Sequence, residues 1–313
     1  MNTPPAPSYV GRFAPSPTGA LHFGSLIAAA GSYLEARRHG GRWLLRIEDV
    51  DTPRCIPGAA DGILRTLERL GFEWDGEPVW QSRRLEAYAD TLERLKAAGY
   101  AYACACSRRE LTQALLARDG SRIYPGTCRN GLPPGRLARA WRVRVAGSIA
   151  FDDAVQGAQL EDLEHELGDF VVMRADGLFA YQLAVVVDDA DADVTHVVRG
   201  ADLLDSTGRQ RYLQRLLGMP EPHYAHLPVA TNAAGEKLSK QTLARAIDEL
   251  PPGAALLAAL AFLGQNPPSQ LAGAPLAEIW QWAQTHWSIA RVPRRRAIPA
   301  PDLHRLAPSA GGD

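Results

Sequence analysis

Only three lysines occur among the 34 basic residues of this chain, and two of them, Lys237 and Lys240, share the pentapeptide Lys237-Leu-Ser-Lys240-Gln241. Arginine fills the other cationic positions. A lysine ammonium is a compact point charge on a mobile stem, whereas a guanidinium is a rigid planar fork. The pairing points to a need for small mobile ammonium groups in that loop; chance in a flexible loop is the plain alternative. A second candidate is Gly19-Ala-Leu-His22-Phe-Gly24-Ser25, which follows two prolines and opens a helical pattern. A strand, a Pro/Gly loop and a helix N-terminus form an anion site, because free backbone N–H groups and the helix dipole face the ligand. His22 can donate to a phosphate, Gly24 permits close approach and Ser25 can cap; alone, His22 reads more readily as a simple loop histidine. The run is not a phosphate loop of the Walker type, since Ser25 stands where the lysine is needed. No G-x-G-x-x-G follows the first strand, which disfavours a dinucleotide dehydrogenase.

Arg46-Ile-Glu48-Asp49-Val-Asp51 follows the apolar residues Trp43 to Leu45, with Arg54 nearby. Carboxylates at the C-terminal end of a parallel strand sit where α/β sheets bind ligands, and one there can hold an ammonium. A solvated acidic turn is the alternative, weakened by the apolar strand before it. Phe179-Ala-Tyr181-Gln182 precedes an apolar run, read as a strand, that ends in Asp188-Asp189. Arg199-Gly-Ala-Asp202 follows the strand-like Val194 to Val198, and Arg199 can pair a carboxylate bidentately. A core aromatic and a structural ion pair are the plain readings of Tyr181 and Arg199. Cys104, Cys106 and Cys128 offer three thiolates to zinc, with Cys55, His165 and Tyr124 as candidates for the open fourth position. Three free cysteines are the alternative. No Ser-His-Asp order has nucleophile-elbow spacing, so nothing supports acyl-enzyme hydrolysis.

The elements that must position these groups alternate. A strand at Tyr9 to Phe13, a helix from about Leu26 to Gly40, a strand at Trp43 to Ile47 and helices near 58–70 and 83–98 give the rhythm of a parallel α/β sheet. The rhythm breaks over 101–168, which holds three of the four cysteines, a Gly/Pro-rich patch and short strand-like pieces. It resumes from 169, with a helix near 206–217 and further helices near 252–263 and 276–287. The division expected is 8–100 and 169–250 as two halves of one domain, 101–168 as an insertion and 251–313 as a short helical tail with a frayed end. Residues 1–8 are Pro-rich and expected to be disordered, and the last 25 residues to fray.

With 313 residues, 46% hydrophobic and 22% charged, the chain has an ordinary globular composition and is long enough to bury a core without staples. A net charge of −1 excludes a bulk polycation and leaves room for a local basic face. No run of 18 apolar residues suggests a membrane span, the N-terminus lacks the pattern of a secretory signal, and four cysteines make no disulfide scaffold. A cytoplasmic location is expected.

Taken together, the ordered blocks resemble the class I aminoacyl-tRNA synthetases of the glutamate type. Gly11-Arg-Phe-Ala-Pro-Ser-Pro-Thr-Gly-Ala-Leu-His-Phe-Gly-Ser25 is similar to the first signature of that family, with His22-Phe-Gly-Ser25 as its HIGH variant. Arg46 to Asp51 and Val198 to Leu203 match two further segments, and Lys237 to Gln241 is a KMSKS variant. A full-length glutamyl-tRNA synthetase carries a long helical anticodon-reading region after that loop, and residues 242–313 are too few for it. The resemblance is therefore to the shortened branch of the family, which places glutamate on queuosine in tRNA(Asp). It implies a Rossmann-type α/β catalytic domain with a zinc-bearing insertion, zinc being held by Cys104, Cys106, Tyr124 and Cys128. It implies tRNA-independent activation of L-glutamate by ATP with Mg²⁺, then transfer to queuosine-containing tRNA(Asp). By the same resemblance Arg12, Phe13, Ala14, Pro15, Ser16, Glu48, Tyr181 and Arg199 serve glutamate. His22, Gly24, Ser25 and Lys240 serve ATP, and His22, Lys237 and Lys240 act in catalysis. A monomer without DNA or membrane partners is expected. The rival readings are a compact synthetase charging the 3′ end of tRNA(Glu) and a non-catalytic tRNA-binding paralogue.

Overall fold

The computed structural model describes residues 9–232, 234–238 and 246–303. Lys240, residues 1–8 and residues 304–313 lie outside the described residues, so the expectations placed on them do too.

Three parallel strands, β1 (Val10–Phe13), β2 (Arg42–Ile47) and β3 (Val79–Trp80), lie in spatial order β1-β2-β3. Helix α1 (Phe23–Arg38) links β1 to β2, and α2 (Ala59–Arg69) links β2 to β3; α3 (Leu85–Ala97) follows. The strand β4 (Ala101–Cys104) pairs antiparallel with β5 (Ala140–Val143), which pairs antiparallel with β8 (Phe170–Met173). A further sheet, in order β7-β6-β10-β9, contains β6 (Ser148–Asp153), β7 (Gly157–Asp162), β9 (His196–Gly200) and β10 (His223–Leu227). Within it β9 and β10 run parallel, joined through helix α5 (Thr207–Leu217), with Arg199 opposite His226. The first sheet and this one meet edge to edge at β1 and β9. Thr195 N–H donates to the Val10 carbonyl at 2.9 Å, and Val10 N–H donates to the Thr195 hydroxyl at 2.9 Å. The parallel strands therefore run β3-β2-β1-β9-β10 across the molecule. Crossovers go one way from β1 and the other way from β9, so the crevice between those strand ends is the switch point where doubly wound sheets take ligands.

Helix α1 is apolar on nearly all sides because it is covered by the sheet on one face and by helices on another. Leu26, Ile27, Ala29, Ala30 and Leu34 are all buried. Its small residues allow close approach: a Cβ on Gly31 would come within 2.5 Å of Leu227 Cδ1. The covering helices are α6 (Pro252–Phe262) and α7 (Leu276–His286), whose Leu256, Leu260, Ile279 and Trp280 join the core around α1. The Trp280 indole N–H donates to the Leu70 carbonyl at 2.8 Å, tying α7 to the end of α2. The chain then returns, and β12 (Ala297–Pro299) pairs in parallel with β11 (Val229–Thr231). That strand falls inside the segment expected to fray.

One element differs in kind from its expectation. The apolar run Leu183 to Val187, expected as a strand ending in Asp188-Asp189, lies instead within helix α4 (Tyr181–Asp191). The run Leu183-Ala-Val-Val-Val187 is β-branched and apolar, which favours a strand locally. The helix is buried on all sides from Leu183 to Asp189, so no polar face exposes its period, and such a run cannot be told from a strand by patterning.

Candidate active site

A cavity of about 420 Å³ opens at the C-terminal ends of β1 and β9. Arg12, Phe13, Ala14, Pro15 and Ser16 reach it from the end of β1 and the loop beyond. Glu48 enters just past β2, Tyr181 from the first turn of α4 and Arg199 from β9. His22, Gly24, Ser25 and Lys237 close the opposite side. Residues far apart in sequence are thus brought to one crevice; Lys240 is outside the described residues.

The charged side chains around the cavity are held partly from behind, by helix α4. Asp188 and Asp189 are adjacent, so they point about 100° apart around the helix. Asp189 faces β1 and β2, where it accepts Arg12 Nε at 3.2 Å, Arg12 Nη2 at 3.3 Å and Arg46 Nη1 at 2.7 Å. Asp188 faces α3 and accepts the Gln81 amide at 2.8 Å, Arg84 Nε at 2.6 Å and the Tyr88 hydroxyl. Burial alone would raise the Asp189 carboxyl; the Arg12 and Arg46 guanidinium groups outweigh it and hold it below its ordinary value. Arg46 also donates to Glu48 Oε1 at 3.2 Å. Burial pushes the Glu48 carboxyl above its ordinary value, against the pull of Arg46 and Arg12. Asp189 occupies one edge of Arg12, leaving both Nη1 hydrogens for a ligand.

Arg199 is fixed more completely than the sequence suggests. Its Nε donates to His226 Nε2 at 3.0 Å, and Nη2 donates to the Leu203 carbonyl at 3.2 Å and the Thr207 hydroxyl at 2.9 Å. Nη1 donates to the Tyr181 hydroxyl at 3.3 Å. Four of five N–H groups are committed, so one remains for a ligand, where the sequence suggested a bidentate pair. His226 Nδ1 meets Asp153 Oδ2 at 2.6 Å, and both side chains are fully buried. Burial lowers the His226 imidazole to about 4, so near neutral pH it is uncharged, donating from Nδ1 to Asp153 and accepting at Nε2 from Arg199. Asp153 and His226 were not singled out from the sequence. The available signal was a histidine one residue before the end of the strand-like run ending at Leu227.

This chain of contacts carries two expectations. His226→Ala removes the Nε2 acceptor and should weaken binding of a carboxylate ligand in the crevice about tenfold, near 1.4 kcal/mol, with His226→Gln affected less because it keeps an acceptor. Titration with carboxylate-bearing amino acids measures it; an unchanged affinity would mean Arg199 holds its place unaided. The imidazole's folded pKa is depressed from 6.5 to about 4, so its contribution to stability is present above 6.5 and is lost as pH falls towards about 4. Urea unfolding at pH 7 and pH 4.5 should show that loss in the native chain and a smaller one in His226→Ala.

At the far wall, α1 begins immediately after His22, which is in extended conformation. The Ser25 hydroxyl accepts from the His22 backbone N–H at 3.4 Å, the reciprocal half of a capping box. First-turn N–H groups have no partner within a helix, so this end of α1 favours an anion. Space at Gly24 is tight: an added Cβ would lie 3.0 Å from the His22 ring, which would have to shift to admit it. Lys237 pairs with Asp202 across the cavity mouth, which ties the lysine loop to the segment after β9.

The three insertion cysteines converge. The sulfurs of Cys104, Cys106 and Cys128 all lie within 4.8 Å of one another. Cys106 and Cys128 are 3.7 Å apart, close to the edge of a tetrahedron with metal–sulfur bonds of about 2.3 Å. The Tyr124 hydroxyl is 3.5 Å from the Cys104 sulfur and 3.4 Å from that of Cys106, and it accepts the Cys128 N–H at 2.8 Å. Three thiols and one phenol around a common point fit a tetrahedral metal ion. Cys55 is not in the cluster: its sulfur lies beside the Asp49 and Asp51 carbonyls at 3.8 and 3.4 Å. His165 pairs with Asp162 instead.

The family described as tRNA synthetases class I (E and Q), catalytic domain, matches residues 9–130 and 135–267. The chain is 69% identical to a glutamyl-Q tRNA(Asp) synthetase from Aromatoleum aromaticum, over 95% of this chain and 94% of that one. It is 61% identical to a glutamyl-Q tRNA(Asp) synthetase from Dechloromonas aromatica, over 96% of this chain and all of the relative. It superposes with a TM-score of 0.76 and 25% identity on a crystal structure of a glutamate tRNA ligase from Elizabethkingia meningosepticum in complex with its amino acid, covering 93% of this chain and 66% of that one. The crevice at the switch point, its helix N-terminus and these likenesses agree: the chain belongs to the class I glutamyl and glutaminyl tRNA synthetases, within the glutamyl-Q tRNA(Asp) synthetase group, and is a ligase of that type.

Proposed function

We propose that this chain uses ATP to activate L-glutamate without tRNA, and then transfers the glutamate to the queuosine base at the first anticodon position of tRNA(Asp). The observation that carries the reading is one cavity holding two pinned arginines, a buried carboxylate and a helix N-terminus. Arg12 and Arg199 each retain N–H donors for a carboxylate, and Glu48 suits an ammonium; a small amino acid with two carboxylates fits this set. The glutamate α-carboxylate oxygen attacks the α-phosphorus of ATP, the bond to pyrophosphate breaks, and glutamyl-adenylate forms. A queuosine hydroxyl then attacks the acyl carbon and AMP leaves.

The chain's own part is positioning and charge stabilisation. Arg12, Arg199 and Glu48 orient the amino acid, with the first-strand loop Phe13 to Ser16 as its floor. His22 and the α1 N-terminus at Gly24 and Ser25 face the phosphates, while Lys237 and Lys240 stabilise charge as pyrophosphate departs. Mg²⁺ bound with ATP supplies further charge neutralisation. Cys104, Cys106, Tyr124 and Cys128 would hold zinc, which supplies a structural cross-link in the insertion. The proposal includes a cytoplasmic monomer; no helix of the described residues is long and apolar enough to cross a membrane. Exchange of labelled pyrophosphate into ATP, dependent on glutamate and run without tRNA, tests the first step. No exchange without tRNA would sink it.

A further inference from the structure

Two more hollows continue the glutamate cavity outward. A chamber of about 260 Å³ shares Ser16, Thr18, Glu48 and Tyr181 with it. Phe179 and Tyr181 give this chamber aromatic surface, and Gln81, Asp51 and Arg54 give it polar groups. Its outer wall is Arg174, and Arg174 also lines an open cleft of about 690 Å³ beside the cysteine cluster. The cleft is walled by Arg108, Arg109, Arg139 and Arg142 as well, against a single carboxylate, Asp176. A continuous path therefore runs from an arginine-lined cleft, past Arg174, into the crevice where glutamate is activated.

The cleft's arginines divide into two kinds. Arg174 is held by Asp51 and Asp176, and buried Arg142 donates to the Asp169 carbonyl at 2.8 Å and stacks over the Tyr124 ring. These two are structural. Arg108, Arg109 and Arg139 are exposed, and none of the described residues provides their guanidinium groups with an acceptor. The backbone holds Arg139 in place, since its N–H donates to the Cys104 carbonyl at 2.9 Å. The nearby Glu110 is engaged elsewhere, by Arg136 at 2.8 Å and by Ser107. Three uncommitted guanidinium groups on one cleft wall, in a chain of net charge −1, make a local basic face where composition shows none.

We propose that Arg108, Arg109 and Arg139 bind the phosphate backbone of the RNA whose acceptor nucleoside enters the aromatic chamber. This rests on the functional reading above and adds to it the surface that delivers the RNA. Repeated, exposed arginine charges match a chain of phosphates. ATP is served at the other wall by the α1 N-terminus. Stacking of a splayed base on Phe179 or Tyr181 is the usual way a protein receives an unpaired RNA nucleoside.

The test is the triple variant Arg108→Ala, Arg109→Ala, Arg139→Ala in the full chain, beside a triple Arg→Lys variant. Three readouts are taken: binding of fluorescent queuosine-containing tRNA(Asp) by anisotropy, glutamate transfer to it, and tRNA-free pyrophosphate exchange. The alanine variant should bind tRNA at least about tenfold more weakly, and its log–log salt slope should fall by about 2 to 3, close to one per lost phosphate contact. Its exchange rate should stay within about twofold, and the lysine variant should keep binding within about threefold, because a point charge still serves a phosphate. Unchanged tRNA affinity and salt slope in the alanine variant would overturn the proposal. So would an equal loss of exchange, which would show a structural role. The functional reading fails separately, if the native chain binds tRNA and exchanges pyrophosphate yet transfers no glutamate.

Discussion

Arg199→Ala is expected to lower kcat/KM for glutamate in pyrophosphate exchange by about 10² to 10³-fold, near 3 to 4 kcal/mol, while the KM for ATP changes little. Arg199 is 5% exposed and pinned by His226, Leu203, Thr207 and Tyr181. On the proposed reading its remaining N–H meets the substrate carboxylate, and truncating one partner of a buried charged pair is costly. Removal also takes one donor each from His226, Thr207 and the Leu203 carbonyl. Arg199→Lys should not restore activity beyond about threefold, since three donors on one ammonium cannot reproduce the fork that reaches His226, Leu203 and Thr207 together. A loss under tenfold for the alanine variant would leave Arg199 as a structural hydrogen-bond donor to His226, Leu203 and Thr207 and remove it from the glutamate site.

The second large effect concerns the cysteine cluster. Purified protein is expected to carry about one zinc per chain, and Cys128→Ser to carry little of it. Cobalt substitution should give a tetrahedral thiolate spectrum that disappears in the serine variant. The cluster of Cys104, Tyr124 and Cys128 has few other apolar neighbours, so a bound metal would be its main cross-link. Loss of metal should lower the thermal midpoint by at least about 5 °C, given the stability carried by structural zinc and the usual slope of midpoint against free energy. Metal-free native protein with an unchanged midpoint would mean the three thiols pack simply as small hydrophobes.

Much of the site was legible in the sequence because its residues stand at element ends with Pro and Gly around them. The loop from Ala14 to Gly19 cannot be helix, Gly24 and Ser25 open one, and Glu48 closes an apolar strand. What stayed hidden depends on partners from distant segments. Tyr181 was placed before a strand, yet it starts a helix whose far end supplies Asp189 to Arg12 and Arg46. No local pattern shows that a β-branched run will be covered on every side. The support of Arg199 by His226 and Asp153 joins β9, β10 and β6, so it follows from strand order, which one sequence does not display. The basic, Pro-rich end suggested fraying, yet Ala297–Pro299 lies beside Val229–Thr231, just before the lysine loop. A short strand of that kind is stabilised by its partner and carries no signature of its own.

Transfer of glutamate to queuosine is tested by the choice of RNA that accepts it. Labelled glutamate is offered with ATP to three purified RNAs: tRNA(Asp) with queuosine, tRNA(Asp) without it, and tRNA(Glu). The account predicts label on queuosine-containing tRNA(Asp) alone. Label on tRNA(Glu) would contradict it and make the chain a compact synthetase acting at the 3′ end.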